Sequence, residues 1–200
     1  GSASSAVTGA MDVNNSAIDS VFTGGVDDNA PSTANTSTAY GKFSDNTVTE
    51  VDFLIGGAVN NTVGNAIITI ADLRKDCIAC LSPEISDSTS SAPATAVLDW
   101  ATGITKSTYA VLDSTALKVY DKYNDVFINI GASAAVAGCM AATDDVADPW
   151  FSPAGVARGQ IRGVTKLLWN PSQTERDSLY GVGINPIVAM PGQGTMLFGD

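Results

Sequence analysis

The sequence predicts an α/β (α+β) domain: a mixed sheet containing a βαβ unit, flanked by helices and preceded by a loop-rich or β N-terminal segment. Two observations carry this. From Glu50, a short apolar run, a helical stripe and a second apolar run follow one another within about thirty-five residues. Further on, "NPSQTERDSLYG" carries a helix-start signature and is followed by more short apolar runs.

The elements follow in order. Residues 1–49 are dense in Ser, Thr, Asn, Asp and Gly, with turn chemistry and little periodicity. They read as a Ser/Thr/Asn-rich linker or the remnant of an inserted domain, and residues 50–200 as an α/β core domain. "VDFLIGG" is an apolar run ended by glycines, which suits a buried strand. In "NNTVGNAIITIADLRKD", Val63, Ala66, Ile67, Ile70, Ala71 and Arg74 fall on one helical face, with Asn60 or Asn61 as N-cap. "CIACLSPE" reads as a second strand stopped by Pro83, parallel to the first through a right-handed crossover.

"SDSTSSAP" is expected as a loop and "ATAVLDWATG" as a short helix ended by Gly103. "STYAVLD" and "ALKVYD" read as strands, and "DKYND" as a tight turn into a third, "VFINIG". "ASAAVAGCMAATDD" is a helix whose small side chains allow close packing on a sheet. "GQIRGVTKLLWNP" as a helix would align Arg158, Arg162 and Lys166. Gly159 and Gly163 would each cost it about 1 kcal/mol relative to Ala, so a strand through Val164–Trp169 is preferred. In the final helix Asn170 is expected as N-cap, Pro171 at N1, Gln173 completing a capping box and Gly181 at C′. "INPIVAM", "PGQG" and "TMLFGD" follow as strand, turn and strand.

Composition removes several function classes. A net charge of −11 argues against nucleic acid, which needs clustered Lys and Arg, and against anionic lipid. No run approaches the roughly 18 apolar residues of a membrane span. With no histidine, the usual catalytic triads and most zinc sites are missing. Cys77 and Cys80 form a CxxC without a second pair, and with Cys139 they read as buried thiols. The pairs Asp27–Asp28 and Asp144–Asp145 sit in turn-like contexts, where Asp serves local hydrogen bonds; "VDDNAP" does not match an EF-hand loop. Gly56, Gly57 and Gly64 fit neither GxGxxG nor GxxxxGK[ST]. No catalytic residue, cofactor or metal is expected, and the chain is not expected to be an enzyme.

"DPWFSPAGVARGQI" leaves the small-residue helix with two prolines fixing its path and Gly155 permitting a turn. Two readings of its aromatics stand. Trp150 and Phe151 cap the core, or they form a contact patch with Arg158, extended by Arg162 and Lys166.

The segment 120–200 resembles the tail sheath proteins of contractile-tailed (T-even-like) bacteriophages. The resemblance is carried by "VYDKYNDVFINI", "AGCMAATDD", "PWFSPAG", "RGQI", "TERDSLYGVGINPI" and "GTMLFGD", and "RKDCIACLSP" also fits. Residues 1–50 give no such match. Ala142 stands where sheaths commonly place an Arg in an "ARTD" step. The resemblance implies a structural subunit that assembles in six-fold helical rings around a tail tube and contracts, without ATP, to drive the tube through the host envelope. Its implied partners are other sheath subunits, the tail tube protein, the baseplate and the tail terminator. The patch at Trp150, Phe151, Arg158, Arg162 and Lys166 would then meet a neighbouring subunit or the tube. The implied location is the virion tail, assembled in the bacterial host cytoplasm. Because the family's C-terminal domain normally follows the "LFGD" region, the chain is expected to be a fragment, monomeric by itself. A sheath of a related contractile injection system, or a nucleotide-binding α/β enzyme domain, is the alternative.

Overall fold

The computed structural model describes residues 24–25 and 30–199. The chain divides into two units, residues 1–31 and 32–200, and all the elements below belong to the second. Asp27, Asp28 and the rest of residues 26–29, the larger part of "VDDNAP", lie outside the described residues.

The unit opens with a helix, Thr33–Gly41 (α1), in the segment that sequence assigns to the linker. Ser32 caps it by accepting from the Asn35 N–H at 3.2 Å. The helix has no buried residue, so no apolar stripe announces it. It is attached through Tyr40, which packs against the apolar core and whose hydroxyl donates to the Ile55 carbonyl at 2.6 Å.

Phe53–Ala58 (β1) and Ile78–Ser82 (β2) pair in parallel around the helix Asn61–Arg74 (α2), the expected βαβ unit. Asn60 caps α2 by accepting from the Val63 N–H at 3.0 Å. Val63, Ile67, Ile70 and Ala71 turn inward as the periodicity predicts, while Ala66 is only partly covered. Arg74, at the end of the stripe, is buried rather than solvated. Its guanidinium pairs with Asp76 at 2.8 Å and donates to the carbonyls of Phe43 and Thr49. That one side chain ties residues 43–49 to the core, its donors spread over three separate acceptors.

A short helix, Ile85–Ser88 (α3), occupies part of the expected loop, and Pro93–Thr102 (α4) ends at Gly103 as anticipated. The Trp100 indole N–H donates to the Val59 carbonyl at 2.8 Å, satisfying the polar edge of a buried ring. Ala110–Asp113 (β3) adds in parallel to β2. The chain then switches to antiparallel pairing: Ala116–Asp121 (β4) and Val126–Gly131 (β5) form the expected hairpin.

The helix Ser133–Val146 (α5) packs on β1 and β2 and buries Val136, Ala137 and Cys139. A single helical turn, Gly155–Arg158 (α6), follows, then a strand, Val164–Leu167 (β6), antiparallel to β4. A single helix through Arg158, Arg162 and Lys166 does not form; Gly163, at φ +76°, turns the chain there.

The last helix, Gln173–Gly181 (α7), starts two residues later than sequence suggests. Ser172 is the N-cap and Glu175 closes the capping box, its carboxylate accepting from the Ser172 N–H at 2.7 Å. Asn170 and Gln173 do not fill those roles. Asn170 instead bridges to the backbone of Ala189 through both its amide oxygen and nitrogen. "INPIVAM" is not one strand: Ile184–Asn185 (β7) and Ile187–Met190 (β8) are separated at Pro186, which has no N–H to keep a ladder going. Gly194–Leu197 (β9) completes a two-stranded pair with β8.

Among the described residues the strands form three sheets: parallel β1-β2-β3-β7, antiparallel β5-β4-β6, and β8-β9. The parallel and antiparallel pairings of the expected mixed sheet therefore fall in separate sheets of one α/β fold. Two apolar clusters result. Leu54, Ile67, Leu81, Val97, Trp100 and Ile184 fill the first, under the parallel sheet's helices. Leu117, Val136, Ile161, Leu167, Ile187 and Leu197 fill the second, between α5 and the antiparallel sheets.

A buried polar cluster joins the two. Asp113 ends β3; its carboxylate accepts from the Ser82 hydroxyl at 2.6 Å and the Thr115 N–H at 3.3 Å. The same Ser82 oxygen accepts from the Ser133 N–H, and Ser114 accepts from the Ile187 N–H. Complete burial pushes the Asp113 carboxyl up to about 8, against the lowering effect of its two hydrogen bonds.

Candidate assembly surface

The sequence offers no catalytic constellation, and the fold explains the residues that most invited one. Gly56 makes room for packing: a Cβ there would come 2.5 Å from a Leu81 methyl and 3.1 Å from one of Ile67, both of which would have to shift. Gly57 sits at φ +74° where the register of β1 with β2 slips, a conformation glycine adopts freely. Its N–H donates to the Ser133 hydroxyl at 3.0 Å, and the α2 terminus is already capped by Asn60. Two of the donors that a phosphate would draw on there, the Gly57 and Val63 N–H groups, are thus engaged. Cys77, Cys80 and Cys139 are buried free thiols. Burial raises all three, Cys80 to about 12 with help from the neighbouring Asp113 charge. Such thiols are inert. Among the described residues no group of three His, Cys, Asp or Glu could hold a metal, and no helix is long and apolar enough to cross a membrane.

What the molecule does present is aromatic and cationic surface. The chain leaves α5 through Asp148 and Pro149, and a turn closed by the Phe151 N–H to the Asp148 carbonyl projects the next two side chains. Trp150 is 77% exposed and Phe151 44%. Both line a cavity of about 230 Å³ whose floor is Val136, Met140 and Leu197. Somewhat more than half of Phe151 is covered, while most of the Trp150 ring faces outward.

Arg158 locks the connector. Its Nε donates to the Ser152 carbonyl at 2.8 Å, and its guanidinium lies 5.4 Å from the centre of the Phe151 ring. Gly155, at φ +83°, makes the return possible, and Gly159 is crowded by the Gly155 and Leu197 backbones. On its other side Arg158 joins Arg162 along a groove of about 540 Å³ walled by Gly138, Ala142 and Val146 of α5. The structure therefore brings Trp150, Phe151, Arg158 and Arg162 onto one connector. Lys166 is apart from them: it stands on β6 in register with Lys118 of β4.

Sequence reasoning missed two further surfaces. Arg176 on α7 stacks 5.4 Å from the Phe198 ring beside exposed Tyr180, bordering a groove of about 610 Å³. On the hairpin, Tyr120 and Phe127 pack at 5.3 Å between ring centres, and Lys118 and Lys122 lie over Phe127 and Tyr123. The aromatic density of "VYDKYNDVF" was the available signal, but an apolar run reads as buried until its strand is placed. Such clusters of aromatic and Arg side chains left in water are the usual anchors of protein–protein contacts.

Residues 30–200 match the family model described as the phage tail sheath protein central domain. The match starts well before residue 120 and takes in much of the segment 1–50 that sequence reading set aside. The tail sheath protein of Vibrio phage KVP40 is 40% identical over 151 residues, covering 68% of this chain and 22% of the relative. That of Enterobacteria phage T4 is 35% identical over 200 residues, covering 90% of this chain and 30% of the relative. The chain thus spans less than a third of the length of these curated relatives. Among solved structures, the six-fold symmetrised baseplate of the anti-feeding prophage contains a chain of similar fold. Its TM-score is 0.56 at 19% identity, over 78% of this chain and 38% of that one.

Proposed function

The chain belongs to the phage tail sheath protein family, by its central domain, and from this premise we propose that it is part of the structural subunit of a contractile phage tail sheath. The subunit stacks with its copies in six-fold helical rings around the tail tube protein, between baseplate and tail terminator. It is assembled in the bacterial host cytoplasm and resides in the virion tail. Contraction drives the tube through the host envelope, and the energy is held in contacts between subunits rather than supplied by a nucleotide. The role is structural and not catalytic.

The observation that carries this reading is the family match across residues 30–200, which spans nearly the whole described fold. The surface chemistry agrees with it: exposed aromatic and Arg anchors on a rigid frame suit repeated contacts between like subunits. Trp150, Phe151, Arg158 and Arg162 form the contact patch toward a neighbouring subunit or the tube, with Lys166 on a second face. In dilute solution the isolated chain is monomeric, because a sheath contact is stabilised by many neighbours at once.

The test is electron microscopy of the full-length parent protein. Contractile tubes with six-fold striations are expected, and Trp150→Ala combined with Arg162→Glu should abolish them while leaving the fold intact. Full-length protein that forms no tubes under any assembly condition refutes the reading. The sheath of a related contractile injection device is the second reading. It is favoured by the fold likeness to the anti-feeding prophage and opposed by the higher identity to phage sheaths.

A further inference from the structure

The tip of the β4–β5 hairpin is a knob. Tyr123, 86% exposed, is the most exposed aromatic among the described residues. Its ring is free but its backbone is fixed. The Tyr123 N–H donates to Asp121 at 2.9 Å, and the Asn124 amide holds the other Asp121 oxygen at 2.6 Å. Asp125, at φ 53°, accepts from the Tyr120 hydroxyl. A large ring carried on a turn that is already ordered costs little further order when it is buried.

The cavity of about 230 Å³ beside the connector is a hole. Its floor, Val136, Met140 and Leu197, reaches the second apolar cluster, and Trp150 and Phe151 stand at its rim. An apolar cavity of about 150 Å³ already takes up a benzene ring, so this one admits a phenol ring. No residue of the hairpin lines it, so knob and hole are separate patches of one chain.

Charge favours the match. Lys122 stands beside Tyr123, its ammonium 5.0 Å from the ring centre, while the carboxylates of the tip, Asp121 and Asp125, are turned into the hairpin by the bonds above. The hole is reached past Asp144 and Asp145, at the end of α5, and Asp148, which leads into Pro149 and Trp150. The ion pair Arg74–Asp76 involves none of these three carboxylates. Arg158, the cation of the connector, is held at the Ser152 carbonyl and the Phe151 ring.

We propose that the hairpin tip of one copy of this chain seats Tyr123 in the cavity beside Trp150 of a second copy, with Lys122 paired to the Asp148 carboxylate. The proposal rests on the reading of the chain as an assembling subunit and names the partner of the patch at Trp150 and Phe151. The contact joins side chains and adds no strand to either sheet. Because its two patches differ it is heterologous: each pair leaves one tip and one hole open, so the contact propagates instead of closing as a two-fold dimer. A tip and a pocket bury far less than the 1,200–2,000 Å² or so of a stable interface. The contact is therefore weak between free chains and effective when copies are held in an array.

The experiment is sedimentation equilibrium of this chain from about 10 μM to about 1 mM. Open-ended self-association is expected at the upper end. Tyr123→Ser should weaken it at least ~10-fold by removing the knob, and Met140→Trp should do the same by filling the hole. An equimolar mixture of these two variants should form a dimer that grows no further, since one supplies the hole and the other the tip. If Met140→Trp does not fold, two surface variants carry the test: Lys122→Asp and Asp148→Lys should each weaken self-association about 5-fold, and mixing them should restore it. A wild-type chain that stays monomeric at 1 mM or so overturns the proposal. So does association that ignores Tyr123→Ser, or that stops at a dimer in the wild type, since another occupant then fills the hole. Failure of the assembly reading is seen separately, in full-length protein that makes no tubes.

Discussion

Replacing Asp113 by Asn should flatten the pH dependence of stability between pH 5 and pH 8. Asp113 lies at the junction of the parallel and antiparallel sheets, fully enclosed, and burial raises its carboxyl from an ordinary 3.8 to about 8. The folded state therefore holds a proton that the unfolded chain releases once pH exceeds about 4. Stability associated with this group is highest below that point, falls as pH rises, and levels off above about 8. Each pH unit in the window is worth about 1.36 kcal/mol, so the whole window amounts to roughly 6 kcal/mol as an upper bound. That is a large share of the ~5–15 kcal/mol available to a domain. The amide of Asp113→Asn is isosteric with the carboxyl, keeps an acceptor for the Thr115 N–H and turns its nitrogen toward Ser82. Its fixed cost is about 1 kcal/mol, but it cannot titrate. The assay is urea unfolding of both proteins at pH 5, 6, 7 and 8. The variant's stability relative to wild type should improve steadily as pH rises, by about 1 kcal/mol per unit. Cys80, the titratable neighbour, is held neutral throughout this range by burial. A wild-type-to-variant difference that is the same at every pH would refute the reasoning.

Three further outcomes are expected. Gly131→Ala should cost about 1–3 kcal/mol, because its methyl would meet the Ala58 and Gly57 backbone rather than a movable side chain. Gly138→Ala, in open space on the outer face of α5, should instead gain up to about 1 kcal/mol; opposite signs in denaturant midpoint check the pair. Ser172→Ala should lose about 1 kcal/mol with the cap of α7, whereas Gln173→Ala should lose almost nothing, and equal losses would return Gln173 to the capping box. Trp150→Ala should move thermal unfolding by less than about 2 °C, since most of the ring is already in water, yet it should impair assembly of the full-length protein.

The path of the chain was legible wherever burial imposes a period. α2 announces itself because Val63, Ile67, Ile70 and Ala71 must all reach one apolar cluster, and its Asn60 cap is a local hydrogen bond. The "DKYND" turn is legible for the same local reason: Asp121 bonds the backbone two residues on. α1 was not legible, because it has no fully buried residue and is held by the single side chain of Tyr40 and, beyond its end, by Arg74. The cap of α7 was misplaced because Asn170 and Ser172 are equally good caps by type. Only the distant Ala189 backbone draws Asn170 away.

The candidate surface divides in the same manner. Sequence by itself determined the absence of histidine and nucleotide motifs, the motifs shared with sheath proteins, and the stiffness of the connector that carries Trp150, Phe151 and Arg158. Those are properties of residue type and local backbone freedom. Which apolar side chains remain outside was decided only by tertiary structure. "VFINI" and "IACLS" are equally apolar runs, but β2 has strands on both sides and helices packed on it, while β5 ends its sheet. Burial depends on what the rest of the chain places beside a segment, and no short stretch carries that information.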